Sequence, residues 1–568
     1  MRRSLLRTAV AAVLVCAVVW SSAAQPSLEP ADVEEHRWDI DALPARTVST
    51  RVAPGSRVAD TAGQPQVVTA PPDWTPIRIA VFAYDVANSS RYCTKAGQLR
   101  PDMKGGVVTC WHVDVLTDTK KHTLLEFMIP SAVRMHEERL SVQRESGNIV
   151  VDRDTFEDSS CRHFSIPAAH MSEGVANADF LLYVAAGPIP SLAIAWAASC
   201  QYFANGRPSV GVANVSPRYM TSDLHNMRAV VHEILHALGF NSHVLFEQDM
   251  VAYADSLRGK SDVPVIASPM VVAQARAHFG CKTQTFLELE DMGGEGAELS
   301  HWKPRSMKDD LMAGLAGSGL YSAITIAAME DMGFYKGNYA MAEPMMNGRN
   351  AGCGLLTEKC VAISVSQFPS MFCASRDVRW RCTSHRLGVG DCQVKKYPSS
   401  LPPQFRYLAD SALGGISDQM DYCPFVQAFI QSNCTVDGRL VNGSVYGAMS
   451  RCLDAPAGFT VGGQSSAQYG LCADVKCASA TYSVKVRGEK AFTTCKPGTT
   501  LTLSSLSSKF SDGHITCPSY DSVCGMRVNV AQYDRYGASL TDSNGAGASA
   551  GMTAALAVAA AALVVSTT

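Results

Sequence analysis

No run of like charges, no unbroken apolar stretch of the ~20 residues that cross a bilayer, and no cysteine between Gln25 and Tyr92 occur in this 568-residue chain. Each absence excludes something. Without charge blocks, and with 49 Lys plus Arg against 52 Asp plus Glu, the formal net charge is −3. That balance offers neither the basic footprint of a nucleic-acid binder nor an acidic tail. Charged residues at 18% beside hydrophobic residues at 47% exclude a largely disordered chain. No repeat of fixed period is present, so a solenoid is excluded, and the length leaves room for several domains. Cysteine, scarce at the start, is abundant later. Cys16 lies in an N-terminal apolar stretch, and the other 18 of the 19 cysteines fall between Cys93 and Cys524. An even count at irregular spacing indicates a disulfide framework and an oxidising compartment, which excludes the cytosol.

Both ends agree with that compartment. Arg2, Arg3 and Arg7 precede the apolar Ala9 to Trp20 and the small residues Ser22-Ala23-Ala24, the pattern of a secretory signal peptide spanning residues 1–24. Near the other end, Ser543-Asn544-Gly545-Ala546 and a short spacer precede an apolar tail, Met552 to Val565. Small residues, spacer and tail make residues 544–568 a GPI-attachment signal, with Asn544 as the attachment residue and Asp542 or Ser543 as alternatives. The protein is therefore expected on the extracellular face of the plasma membrane, held by a lipid.

Between the ends, residues 25–67 are rich in Pro, Ala, Arg and Val and read as a removable pro-segment. Ile77 to Tyr84 is rich in β-branched and aromatic residues and is expected to form a strand. Phe180 to Ala185 is expected as a second, buried strand. From Cys353 onward, cysteines accompany short Thr-, Ser- and Val-rich segments, so this region should be loop-rich, largely β and disulfide-stapled.

The chemistry concentrates in one helix. Thr221-Ser222-Asp223 offers N-caps, Leu224, Met227, Val230, Val231, Ile234, Leu235 and Leu238 recur at helical spacing, and Gly239 is a natural stop. Inside stands His232-Glu233-Ile234-Leu235-His236. Residues four apart share a helix face, so both imidazoles reach one ion. Zn²⁺ takes neutral imidazole at ~2.0–2.1 Å, and a catalytic zinc needs three protein ligands plus a water. Glu233 is placed to take that water's proton. His225 is two turns away, roughly 10 Å along the axis, and cannot share the metal.

The third ligand is open on spacing alone. The short motif with a histidine six residues after the second would place it at Ser242, and His243 is one residue late. Glu247 and Asp249 offer carboxylates, while His301 lies farther on in Ser300-His301-Trp302-Lys303. Asp309-Asp310-Leu311-Met312-Ala313-Gly314 then has the form of the tight Met-turn beneath a metzincin zinc.

At these blocks the sequence resembles the leishmanolysin family of metzincins. The resemblance runs through His232 to Phe240, Arg258-Gly259-Lys260, Glu288-Leu289-Glu290-Asp291 and Asp310-Leu311-Met312-Ala313. It continues through Asp331-Met332-Gly333-Phe334-Tyr335, Asn350-Ala351-Gly352-Cys353 and Met420-Asp421-Tyr422-Cys423-Pro424. It implies an α+β fold with a metzincin-type zincin catalytic domain (68–241), a central domain (242–358) carrying the third ligand and Met-turn, and a cysteine-rich, mainly β domain (359–543). It also implies nine disulfides and one Zn²⁺ per chain on His232, His236 and His301, with Met312 below and Glu233 as general base. The implied activity is that of a zinc metalloendopeptidase acting on proteins and peptides. Pro-segments of the family carry His-Arg-Cys, whose cysteine holds the enzyme latent. Here the matching stretch is His36-Arg37-Trp38, and an indole N–H offers zinc no lone pair, so no thiol switch is available.

Asn88, Asn214 and Asn442 head glycosylation sequons, with Asn433-Cys434-Thr435 a poorer one. The competing function is an inactive surface adhesin or coat protein that keeps the metzincin fold; the presence of Glu233 and three ligands favours the enzyme.

Overall fold

Phe180–Ala185 is apolar at every position, and every one of its side chains is buried, because it lies inside a sheet covered on both faces. The sheet contains β1 (Ile79–Phe82), β2 (Phe180–Ala185), β3 (Ala195–Tyr202) and β4 (Pro208–Val215) in the order β1-β2-β4-β3. β1, β2 and β4 run parallel, and β3 closes one edge antiparallel to β4. Alternation splits β2 between two cores. Phe180, Leu182 and Val184 face one cluster with Val230, Val231, Ile234 and Leu235. Leu181, Tyr183 and Ala185 face another with Phe164 and Trp196.

The first of those cores is made by two helices, α1 (Ile129–Glu137) and α2 (Leu224–Ala237), of which α2 lies directly on β3 and β4. Gly211 of β4 permits this approach. A Cβ there would stand 2.6 Å from Phe180 Cζ and 3.1 Å from Ala237 Cβ. The same core continues without a break from Ile77 to Phe425, so it crosses residues 241–242 and 358–359. A separate core, Leu453 to Val523, serves the end of the cysteine-rich region.

The structure is a computed structural model that describes residues 73–525, apart from 295, 316, 363–364, 369, 375–379, 436–440 and 467. The signal peptide, the pro-segment with Trp38 and the attachment signal with Asn544 lie outside the described residues. After α2 come a hairpin of Val251–Leu257 with Lys260–Ile266 and a short third strand, Leu287–Glu288. Beyond residue 359, the regular structure among the described residues is mostly short antiparallel strands. The largest sheet there pairs Arg451–Asp454, Gly470–Ala478, Thr481–Lys485 and Thr493–Cys495.

All 18 cysteines after Cys16 are bridged. The pairs are Cys93–Cys110, Cys161–Cys200, Cys281–Cys353, Cys360–Cys423, Cys373–Cys392, Cys382–Cys452, Cys434–Cys472, Cys477–Cys524 and Cys495–Cys517. A mixed α+β body with a stapled, mainly β end is the metzincin-like organisation expected.

One element is shorter than expected. The strand expected over Ile77 to Tyr84 covers Ile79–Phe82 alone. Ile77 N–H donates to the Leu140 carbonyl in a different part of the fold. At the other end the chain enters a single helical turn, Tyr84–Ala87, whose buried Asp85 accepts from Arg91 and Ser165. Tertiary partners take the backbone before β-propensity can extend the ladder.

Candidate metal centre

Asp223 starts α2 by accepting from the His225 backbone N–H at 3.0 Å. Leu238 ends it, and Gly239 adopts φ +116°, a conformation that glycine alone visits freely. That reversal lets Phe240 N–H donate to the Leu235 carbonyl and swings the Phe240 carbonyl back over the helix end. The carbonyl then accepts from His236 Nδ1 at 2.6 Å. The glycine stop therefore also orients a ligand candidate.

Each of the three histidines is fixed in the same way. His232 Nδ1 donates to the Leu311 carbonyl at 2.5 Å, and His301 Nδ1 donates to the Ala297 carbonyl at 2.9 Å. A carbonyl only accepts, so each Nδ1 carries the proton and each Nε2 keeps its lone pair. The three Nε2 atoms face one another at 2.9 Å (His232 with His236), 3.1 Å (His232 with His301) and 3.3 Å (His236 with His301). Two lone pairs cannot share a hydrogen bond, so these short separations are contacts between acceptors. Ligands at ~2.0–2.1 Å from one tetrahedral ion stand about 3.3 Å apart, so the triad fits zinc to within a few tenths of an ångström.

Burial is the first reason the imidazoles stay neutral. It pushes His232 and His236 well below the usual histidine range, with mutual repulsion adding to it, and brings His301 down to about 4. Neutral imidazole is the metal-binding form. Glu233 is fully buried beside His232 on α2.

The third position is set by the turn around Met312. Asp310 Oδ1 accepts from Met312 N–H at 2.7 Å and from Thr325 Oγ1 at 2.6 Å, while Oδ2 accepts from Ser322 Oγ. Burial nonetheless pushes the Asp310 carboxyl up to about 6. This turn presents the Leu311 carbonyl to His232, and the Met312 carbonyl accepts from Trp302 N–H at 2.8 Å. His301 is thereby delivered next to α2. His243 instead packs its ring 5.5 Å from that of Tyr202, and Glu247 and Asp249 are exposed. Among the described residues, His232, His236 and His301 form the one group of such side chains close enough to hold a metal.

Several supporting residues had no signature in the sequence. Arg228, one turn before His232, forks onto buried Glu343 at 2.7 and 2.6 Å, and Glu343 also accepts from Tyr321 N–H at 2.9 Å. His136 of α1 pairs its Nε2 with the Val231 carbonyl at 3.0 Å. These partners are distant in sequence and follow no local pattern. The glycine stop after His236 was the one local clue to any of the carbonyl acceptors.

The sequons divide by accessibility. Asn88 and Asn442 are exposed. Asn214 is not: it is fully buried in β4, where its amide accepts from Gly187 N–H at 2.7 Å and donates to the Gly187 carbonyl at 3.2 Å. The expectation of a surface glycan at Asn214 is corrected accordingly, because its nitrogen is committed inside the sheet.

Comparison with known proteins agrees with this geometry. The leishmanolysin family profile matches residues 14–530. A leishmanolysin of Leishmania major is 41% identical over 472 residues, covering 81% of this chain and 78% of its own length. One from Leishmania donovani is 38% identical, covering 93% of this chain and 92% of its own. A leishmanolysin homolog of Crithidia fasciculata is 39% identical, covering 82% and 73%.

Proposed function

The chain belongs to the leishmanolysin family of metallopeptidases, and from its histidine triad we propose a cell-surface, zinc-dependent endopeptidase cleaving internal bonds of proteins and peptides. The observation that carries this reading is the set of three neutral Nε2 atoms aimed at one point. His232, His236 and His301 would hold the ion. Bound zinc supplies Lewis acidity, which polarises the scissile carbonyl and lowers the pKa of a water. Glu233 takes the proton of that water as its oxygen adds to the carbonyl carbon. The same carboxyl then protonates the amine as the C–N bond breaks, so one group serves as base and acid. Met312 and its turn keep Leu311 and Trp302 in place beneath the ligands. The zincin, central and cysteine-rich divisions at 68–241, 242–358 and 359–543 belong to the same reading.

The test is a diverse peptide library read by mass spectrometry, with and without 1,10-phenanthroline. Internal cleavage that the chelator abolishes and added zinc restores is the expected result. Trimming of single N-terminal residues would instead indicate an aminopeptidase, and no cleavage at all would favour the adhesin.

Asn88 and Asn442 are proposed as glycan acceptors, and treatment with a glycosidase that removes N-linked chains should shift the mass of each corresponding peptide. Among the described residues no helix is long and apolar enough to cross a membrane, and attachment is proposed through a lipid on Asn544. A phosphatidylinositol-cleaving phospholipase should release the protein from cells. Retention in the membrane fraction after the lipid is shown to be cut would count against this anchor.

A further inference from the structure

Three cations converge on one carboxylate behind the metal centre. Asp421 Oδ2 accepts from Arg258 Nη2 at 2.9 Å, and Oδ1 lies 3.1 Å from Lys303 Nζ and 3.2 Å from Lys260 Nζ. Burial works to raise the Asp421 carboxyl, yet Lys303, Lys260 and Arg258 hold it well below the usual carboxylate range. Asp421 belongs to the cysteine-rich region, two residues before Cys423, which is bridged to Cys360.

The same cations carry the segment that presents His301. Arg258 forks onto Glu288 at 2.9 and 2.6 Å, and Lys260 reaches Asp291 at 2.8 Å. Lys303, fully buried and two residues from His301, bonds Glu290 at 2.9 Å and Asp291 at 2.6 Å. Glu290 in turn brackets the ligand through its backbone. Its N–H donates to the His301 carbonyl at 2.8 Å, and its carbonyl accepts from Leu299 N–H at 2.9 Å.

Gln419, in the same turn as Asp421, shows how closely this region approaches. Its Nε2 lies 3.0 Å, and His301 Cβ 3.6 Å, from the point where a Cβ on Gly314 would stand. The turn is thus wedged against the segment following Met312. The buried Arg305 guanidinium also acts on Asp421. Among the described residues, removing the Asp421 charge would leave Arg258, Lys260, Lys303 and Arg305 facing only Glu288, Glu290 and Asp291. That is a buried excess of positive charge, which relaxes only if Lys303 or its neighbours move.

We propose that Asp421 is a positioning residue for the metal centre: by bonding Lys303, Lys260 and Arg258 together and offsetting their charge it keeps Glu290 and the His301 backbone in place. The cysteine-rich region is then a working part of the site as well as a stapled appendage. This rests on His301 being a zinc ligand.

The experiment compares wild type, Asp421→Asn and Asp421→Glu as full-length protein. Zinc release to 4-(2-pyridylazo)resorcinol is followed together with kcat and KM on one peptide. Asp421→Asn should release zinc at least about tenfold faster, as loss of a partner behind a metal ligand does. It should also lower kcat more than it changes KM, and Asp421→Glu should recover most of both. If Asp421→Asn fails to fold, Lys260→Met combined with Asp421→Asn removes one charge of each sign and relieves the excess. It still takes the Asp421 carboxylate away from Lys303 and Arg258, so release faster than wild type is again expected. Wild-type release rates in whichever of these variants folds, even with a lowered melting temperature, would overturn the proposal. Wild-type protein lacking zinc would instead defeat the His301 reading, and this inference with it.

Discussion

Glu233→Ala is expected to lower kcat/KM by about 10²–10⁴-fold, the usual contribution of a general base, while zinc content stays at that of the wild type. The separation follows from the geometry. The Nδ1 atoms of the three histidines are fixed by the carbonyls of Leu311, Phe240 and Ala297, and none of them depends on Glu233. Loss of turnover with zinc retained assigns the carboxylate to proton transfer. Purified Glu233→Ala protein that turns over peptide at near the wild-type rate would remove Glu233 from that role. A variant that loses zinc would place it among the groups that maintain the site.

His301→Ala is expected to lose zinc and activity together. Two imidazoles from one helix leave the ion with too few protein ligands, and binding of structural zinc is itself strongly coupled to a formed site. His243→Ala and Glu247→Ala should keep wild-type zinc, because His243 lies against Tyr202 and Glu247 is exposed. Metal analysis of the three purified variants decides the matter. Full zinc in His301→Ala would mean that the third ligand lies elsewhere, whatever the fate of activity.

The helix and its chemistry were determined locally. Apolar spacing from Leu224 to Leu238, Asp223 at the start and Gly239 at the end are short-range features, and they produced a helix over Leu224–Ala237 as expected. The His232 and His236 pairing follows from helical pitch alone. The disulfide framework was likewise legible as a count of cysteines, since redox chemistry depends on their number and compartment.

Tertiary structure decided what depends on chains meeting. Spacing left His243, Glu247, Asp249 and His301 open, and the bridges of Trp302 to Leu289 and Ala313 brought His301 alone to α2. The family resemblance had indicated that choice, but the carbonyls that fix each imidazole could not be read from residue identity, because every residue has one. Pairing of the cysteines, burial of the Asn214 sequon and the shortened strand after Ile77 were decided the same way. Residues far apart in the chain competed for the same backbone groups and the same interior space. Sequence records which groups are available, and only packing determines which partner each one meets.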